Sequence, residues 1–140
     1  SEGRVTLASA SPFDKPLIDP RYFSDPDDLE RTVEIVEWNR EIAMSDAFAP
    51  ARAGLAMELK TRAEIEDWVR RSAQTIWHQT STCRMGADDD AVVGSDLKVK
   101  GFEGLAVCDA SVMPAMVSAN TNAPTIMIAE KGADLIRARL

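Results

Sequence analysis

The 140-residue chain has two cysteines, one histidine and one tyrosine, and none of its seven glycines falls in a Gly-x-Gly pair. Two cysteines, Cys83 and Cys108, cannot knit a disulfide scaffold; they read as free thiols in a reducing compartment, which points to a cytoplasmic location. Without a Gly-x-Gly pair there is neither a phosphate-binding loop nor a dinucleotide fingerprint. No apolar run approaches the ~20 residues that a membrane span needs. Basic residues are the minority, with 16 Lys and Arg against 23 Asp and Glu, a net charge of -7. Such a chain is repelled by the phosphates of nucleic acids and of anionic membranes, so neither is an expected partner. What is present is a globular balance, 45% hydrophobic and 28% charged, enough for one domain with extensions. The first residue is Ser1 and no leader pattern follows, so we expect a piece of a longer or processed polypeptide.

Residues 3–9 alternate polar and apolar, with Val5 and Leu7 on one face, which predicts a half-buried strand. Pro12, Pro16 and Pro20 then argue for an irregular excursion over residues 10–24. A helix start follows. Ser24 or Asp25 can cap, Pro26 suits the first turn, and Asp27 and Asp28 complement the positive end of the dipole. Leu29, Val33 and Val36 repeat at helical spacing, Ile35, Trp38 and Ile42 widen the stripe, and the helix should end near Ser45. Residues 46–60 carry no clear period. Thr61-Arg62-Ala63-Glu64 is a capping box opening a second helix to about residue 74, with Ile65, Trp68 and Val69 buried. Leu97 to Lys100 and Leu105 to Cys108, joined through Gly101 and Gly104, predict a hairpin with a buried second strand. Asp109 to Asn122 reads as a loop. Pro124 opens a last helix with a largely buried first half, closed by Arg137 and Arg139. The expected class is α+β, an antiparallel sheet with helices packed on it.

Chemistry has few places to reside. His78 reads either as a core histidine or as a general base, since imidazole titrates nearest neutrality. A metal site fails on ligand count: His78, Cys83 and Met85 have no second histidine beside them. Asp88, Asp89 and Asp90 lack the spacing of a calcium loop. No Gly-x-Ser-x-Gly elbow supports a serine hydrolase. The stretch Asn120 to Thr125 either presents free amides at a helix start, a seat for partial negative charge, or is capped by Asn122 or a neighbour.

Four blocks in order carry more information: Trp77-His78-Gln79-Thr80-Ser81-Thr82-Cys83-Arg84-Met85-Gly86, Gly101-Phe102-Glu103-Gly104-Leu105, Asp109-Ala110-Ser111-Val112-Met113-Pro114, and Asn120-Thr121-Asn122-Ala123-Pro124-Thr125 running on to Lys131. Together they resemble the C-terminal region of the glucose-methanol-choline (GMC) oxidoreductases, nearest the choline and alcohol dehydrogenase branch. Gly3 to Leu7, Pro16-Leu17-Ile18, Tyr22 and the acidic helix start are similar to the substrate-domain segment of that family. The resemblance thus divides the chain into a substrate-domain part, residues 1–75, and an active-site and flavin-contacting part, residues 76–140. The second part would return to an FAD-binding domain supplied from outside this chain.

This resemblance implies an alcohol oxidoreductase that passes hydride to FAD while His78 takes the hydroxyl proton. It implies that Asn122 hydrogen-bonds the substrate oxygen, that Asp109 and Ala110 touch FAD, and that the Ala123 amide meets the flavin pyrimidine. Trp77 would pack nearby. Ser81 and Ala119 stand where relatives often have glycine, changes expected to be tolerated. The implied partners are an N-terminal FAD-binding portion and a small alcohol. Two other readings stay open: a non-catalytic interaction domain derived from the family, and a cyanohydrin lyase of the same fold.

Overall fold

The computed structural model describes residues 1–54 and 58–138. The chain forms two compact units, Ser1–Gln74 and Thr75–Leu140.

In the first unit, β1 (Arg4–Thr6) pairs antiparallel with β2 (Leu17–Asp19), Val5 standing opposite Ile18. The expected strand over residues 3–9 is therefore shorter, and it is exposed rather than half-buried. The stretch expected to be irregular contains β2, with Pro16 and Pro20 just outside it. Prolines at strand ends cost no ladder bond, so they bound this strand instead of forbidding it.

Helix α1 (Pro26–Met44) starts and stops where its residues dictate. The Asp25 carboxylate accepts the Asp27 amide at 3.0 Å, and Asp27 and Asp28 sit in the first turn. A 3-10 turn, Asp46–Ala51, follows in the stretch that had no readable period, and residues 55–57 of that stretch lie outside the described residues. Helix α2 (Arg62–Ser72) carries the full capping box: Thr61 Oγ1 accepts the Glu64 amide at 3.2 Å, and Glu64 Oε2 accepts the Thr61 amide at 2.9 Å. The two helices pack through Leu29, Val33, Ile65 and Val69, all buried, with Phe23, Val36, Leu59 and Trp68 around them. Each such side chain contributes roughly 1.5–3 kcal/mol when fully buried. Arg62 ties α2 to α1 by bonding Glu30 at 2.5 Å and Glu37 at 2.7 Å. Ile35, Trp38 and Ile42 do not widen the buried stripe. At 100° per residue Ile35 lies far round the helix from Val33, and the three form a second apolar stripe that is exposed.

The second unit is built mainly from irregular backbone. Its core is Val93, Leu97, Val112, Met113 and Ile128, with Met85, Val99, Val107, Cys108, Ala110 and Leu135 packed against it. The expected hairpin exists only as a single bridge, Lys98 with Ala106, and Val99 bridges instead to Val93, outside the expected strands. Val99 donates to the Leu105 carbonyl at 3.0 Å and Val107 to that of Leu97 at 3.1 Å. Regular strands fail because Leu97 has φ +65° in a tight turn, its amide bonded back to Gly94 at 3.0 Å. Leu105 is exposed and the residues after it only half-buried, so the second strand is not the buried one expected. A 3-10 turn at Ala110–Val112 interrupts the expected loop. Helix α3 (Asn122–Arg137) begins two residues before Pro124, which falls within the first turn. Only Ile128 and Gly132 of α3 are buried; Ile126 and Met127 are 54% and 63% exposed, against the buried first half expected. Arg139, expected at its end, lies outside the described residues. Gly132 lets α3 approach the core closely, because a Cβ there would stand 2.0 Å from Cys108 Sγ. The Cys108 thiol donates to the Ile128 carbonyl at 3.3 Å.

Candidate active site

The residues singled out from the sequence lie mostly where the second unit is least regular. His78 follows Trp77 at φ +59° and precedes Ser81 at φ +72°, so left-handed residues bracket the imidazole on both sides. Such a conformation costs an ordinary L-residue about 1–2 kcal/mol, most plainly for a side chain as bulky as indole. It is held by Thr75, whose Oγ1 accepts the Trp77 amide at 3.0 Å and the Gln79 side-chain amide at 3.3 Å. The bend leaves the Trp77 side chain 80% exposed and His78 half-buried. The φ at Ser81 also gives a physical reason for glycine at that position.

Beyond His78 the chain is anchored to the core. The Cys83 amide donates to the Ser111 carbonyl and the Met85 amide to that of Val112, both at 2.9 Å. Arg84 grips Asp88 with both terminal guanidinium nitrogens, at 2.6 and 2.9 Å, and holds its carboxyl far below the usual carboxylate range. Lys100 donates to the Asp88 carbonyl, closing the loop of acidic residues. Asp88 is thus part of a fastening rather than a solvated turn.

The other half of the site is the start of α3. His78 Nδ1 lies 2.9 Å from Oγ1 of Thr121, the residue just before the helix. Thr121 is 6% exposed, the one buried polar side chain among the described residues. It had not been singled out. Its only sequence signal is its place beside Asn122, and a threonine before a helix reads as a cap. Here it stands at the cap position without capping, and neither Asn122 nor another side chain caps α3. Of the two readings of Asn120 to Thr125, the amides left without a side-chain acceptor are the one observed. Asn122 and Ala123 are exposed, and the Ala123 side chain is only a methyl, so the first-turn amides are open to a group bearing partial negative charge.

Asp109 and Ala110 are placed differently. The Asp109 carboxylate caps the short turn, accepting the Ser111 amide at 2.8 Å and its hydroxyl as well. Ala110 packs against the core. Their side chains are engaged in the fold, so any ligand contact from this pair falls to its backbone. The hydrogen bond thus joins His78 to the residue that precedes Asn122 and Ala123.

Residues 1–129 match the GMC oxidoreductase family. The chain belongs to the GMC oxidoreductases. It is 42% identical to an alcohol dehydrogenase [acceptor] of Pseudomonas putida, covering 97% of the chain and 25% of the relative. It is 45% identical to the mitochondrial choline dehydrogenase of Homo sapiens, covering 98% and 24%. Among solved structures, a pyridoxine 4-oxidase from Mesorbium loti superposes with a TM-score of 0.86 at 35% identity, over 97% of this chain and 27% of that one. A formate oxidase of Aspergillus oryzae, in a structure concerned with FAD modification, gives 0.88 at 30% identity, over 99% and 25%. The α+β architecture, helices with a small antiparallel sheet, is shared with these GMC structures. The chain spans about a quarter of the length of the curated relatives it matches.

Proposed function

We propose that this chain is the C-terminal part of an FAD-dependent enzyme that oxidises an alcohol, with His78 as the proton acceptor and Asn122 as the group that orients the substrate oxygen. The observation that carries the reading is the 2.9 Å link between His78 Nδ1 and Thr121, which fixes an imidazole beside an uncapped helix start. The names of the relatives, alcohol and choline dehydrogenases, and of the oxidases among the solved structures support the reaction class.

The residues present suit a flavin. The α3 amides at Asn122 and Ala123 have no side-chain cap, and the Trp77 indole offers an exposed aromatic face. FAD, when bound, supplies the acceptor for the hydride. This chain supplies the rest. A neutral alcohol is a poor hydride donor, and His78 strengthens it by withdrawing the hydroxyl proton onto Nε2, the nitrogen not engaged with Thr121. Asn122 donates an amide N–H to the same oxygen and cannot titrate, so it orients without competing for the proton. The dipole of α3 favours negative charge at its first turn. The apolar side chains left exposed, Ile126 and Met127 on α3 and Ile35, Trp38 and Ile42 on α1, suit packing against an N-terminal FAD-binding portion.

The test is His78→Ala in the enzyme that carries this chain together with its FAD-binding portion. Anaerobic flavin reduction by choline or 1-octanol should fall by ~10²–10⁴, the usual worth of a positioned base, with FAD still bound. Near-normal reduction would remove the proton-acceptor role. A protein that never takes up FAD would point to an interaction domain. FAD that stays oxidised while a cyanohydrin is cleaved would point to a lyase.

A further inference from the structure

The geometry points to Thr121 as a positioning residue that fixes the tautomer of His78: its Oγ1 accepts Nδ1–H, leaving Nε2 as the unprotonated nitrogen. This rests on the reading of His78 as the proton acceptor and specifies which nitrogen does the work.

Three observations converge on it. Thr121 is the single buried polar side chain among the described residues, and its hydroxyl lies 2.9 Å from Nδ1, within ordinary hydrogen-bond range. A hydroxyl at the residue before a helix normally caps it, and this one makes no cap bond. Its carbonyl meanwhile takes the Thr125 amide at 3.0 Å and the Thr125 hydroxyl at 2.6 Å, so the backbone that carries the hydroxyl is pinned by the first turn of α3. The side chain is thus spent on the imidazole rather than on the helix.

The direction of that bond follows from what a base must do. A hydroxyl both donates and accepts, so two arrangements are open to a neutral imidazole. If Thr121 donated to Nδ1, the proton would reside on Nε2, which then could accept nothing. If Nδ1–H donates to Oγ1, the Nε2 lone pair is free. In the reaction the alcohol O–H bond would break and an Nε2–H bond would form, giving imidazolium and an alkoxide; FAD, when bound, would supply the acceptor for the hydride of its C–H bond. Nδ1 keeps its proton throughout, so the bond to Thr121 persists from neutral ring to cation without rearrangement. Asn122, the next residue, is then set by the same helix turn that sets the base.

The experiment uses the holoenzyme labelled with 15N-histidine, with His78→Asn identifying which signals belong to this ring. Wild type and Thr121→Ser should show Nδ1 as the protonated, pyrrole-like nitrogen and Nε2 as the pyridine-like one. Thr121→Val, close in shape and without the hydroxyl, should shift the pair toward a tautomer mixture. Flavin reduction by saturating choline or 1-octanol should slow about tenfold in Thr121→Val, the rate equivalent of one hydrogen bond, with FAD absorbance unchanged. Thr121→Ser should restore it. Thr121→Ala provides the same comparison if the valine variant fails to fold. A pyridine-like Nδ1 in the wild type, a valine variant identical to wild type, or a serine variant as slow as the valine one would overturn the assignment. Wild-type reduction by His78→Asn would instead overturn the proton-acceptor reading beneath it, so the two failures are told apart.

Discussion

The two units of this chain solve the same packing problem by opposite means. In Ser1–Gln74 the core comes from one stripe on each of two helices, and both helices open with a side-chain cap, Asp25 and Thr61. In Thr75–Leu140 the core gathers Val93, Leu97, Val112 and Ile128 from turns, single bridges and one helix that opens without a cap. The first arrangement is what local propensity favours. The second leaves the start of α3 without a side-chain cap and a histidine half-buried, at the expense of local regularity. Sites tend to gather on irregular backbone held by a packed scaffold, and here the scaffold beneath the site is a cluster of side chains rather than a sheet.

The contrast breaks most readily in the first unit. Ile65→Ala removes a side chain at the centre of a two-helix interface and should cost about 2–5 kcal/mol, read as a lower denaturation midpoint. A loss under ~1 kcal/mol would mean that the helix pair is not packed as described. In the second unit the tightest point is a glycine. Gly132→Ala gains helix propensity but drives a methyl into Cys108 Sγ, and overpacking should prevail by about 1–3 kcal/mol. Reducing Cys108 to Ala in the same chain should recover part of that loss. If the single glycine variant is more stable than wild type, the close approach of α3 is wrong.

Legibility in the sequence divides along the same line. The Asp25 cap, the Thr61 to Glu64 box and the Leu29, Val33 and Ile65, Val69 stripes could all be read because each depends on residues within about two turns of one another. The stripe at Ile35, Trp38 and Ile42 is exposed where its apolarity predicts burial, since apolarity alone does not say which face of a helix finds a partner. Leu97 at positive φ could not be read, because nothing in a leucine announces a left-handed turn that tertiary packing imposes. At the candidate site, His78 and Asn122 are proposed from the likeness of their blocks to a family, whereas that likeness assigns Thr121 no role. Its partner lies 43 positions away, and a threonine before a helix carries a local explanation that conceals the distant one.

The cost of irregularity at the site is measurable by relieving it. Ser81→Gly places the residue suited to φ +72° where serine is strained, and should stabilise the second unit by about 1 kcal/mol. The gain is bounded because glycine also loses more freedom on folding. The serine hydroxyl has a neighbour in Thr80 Oγ1 at 3.1 Å, a minor loss. A destabilised glycine variant would show that the bend is held by that contact and not resisted by the backbone.

Acid distinguishes the two units with the smallest and most local effect. The Thr61 and Lys60 amides bonded to Glu64 hold its carboxyl below the ordinary glutamate range, and the Arg84 guanidinium holds Asp88 much further below its own. A carboxyl that is more acidic folded than unfolded stabilises the fold only while ionised. Each contribution is therefore fully present above the group's unfolded pKa and is lost as pH falls through its folded one. Because the folded pKa of Glu64 is less depressed, the α2 capping box should loosen at a higher pH than the Arg84 fastening. The amide of Thr61 bonds Glu64 at 2.9 Å and that of Asp90 bonds Asp88 at 3.2 Å, so their proton chemical shifts report the two groups separately. On acidification the Thr61 amide should move first and the Asp90 amide later or not at all. Both groups are solvent-exposed, so the effect is in the order of titration rather than in a large change of stability. The reverse order would mean that the Arg84 pair is broken in solution, and that the irregular unit holds its loop by bonds such as Gly86 to Val93 and Lys100 to the Asp88 carbonyl.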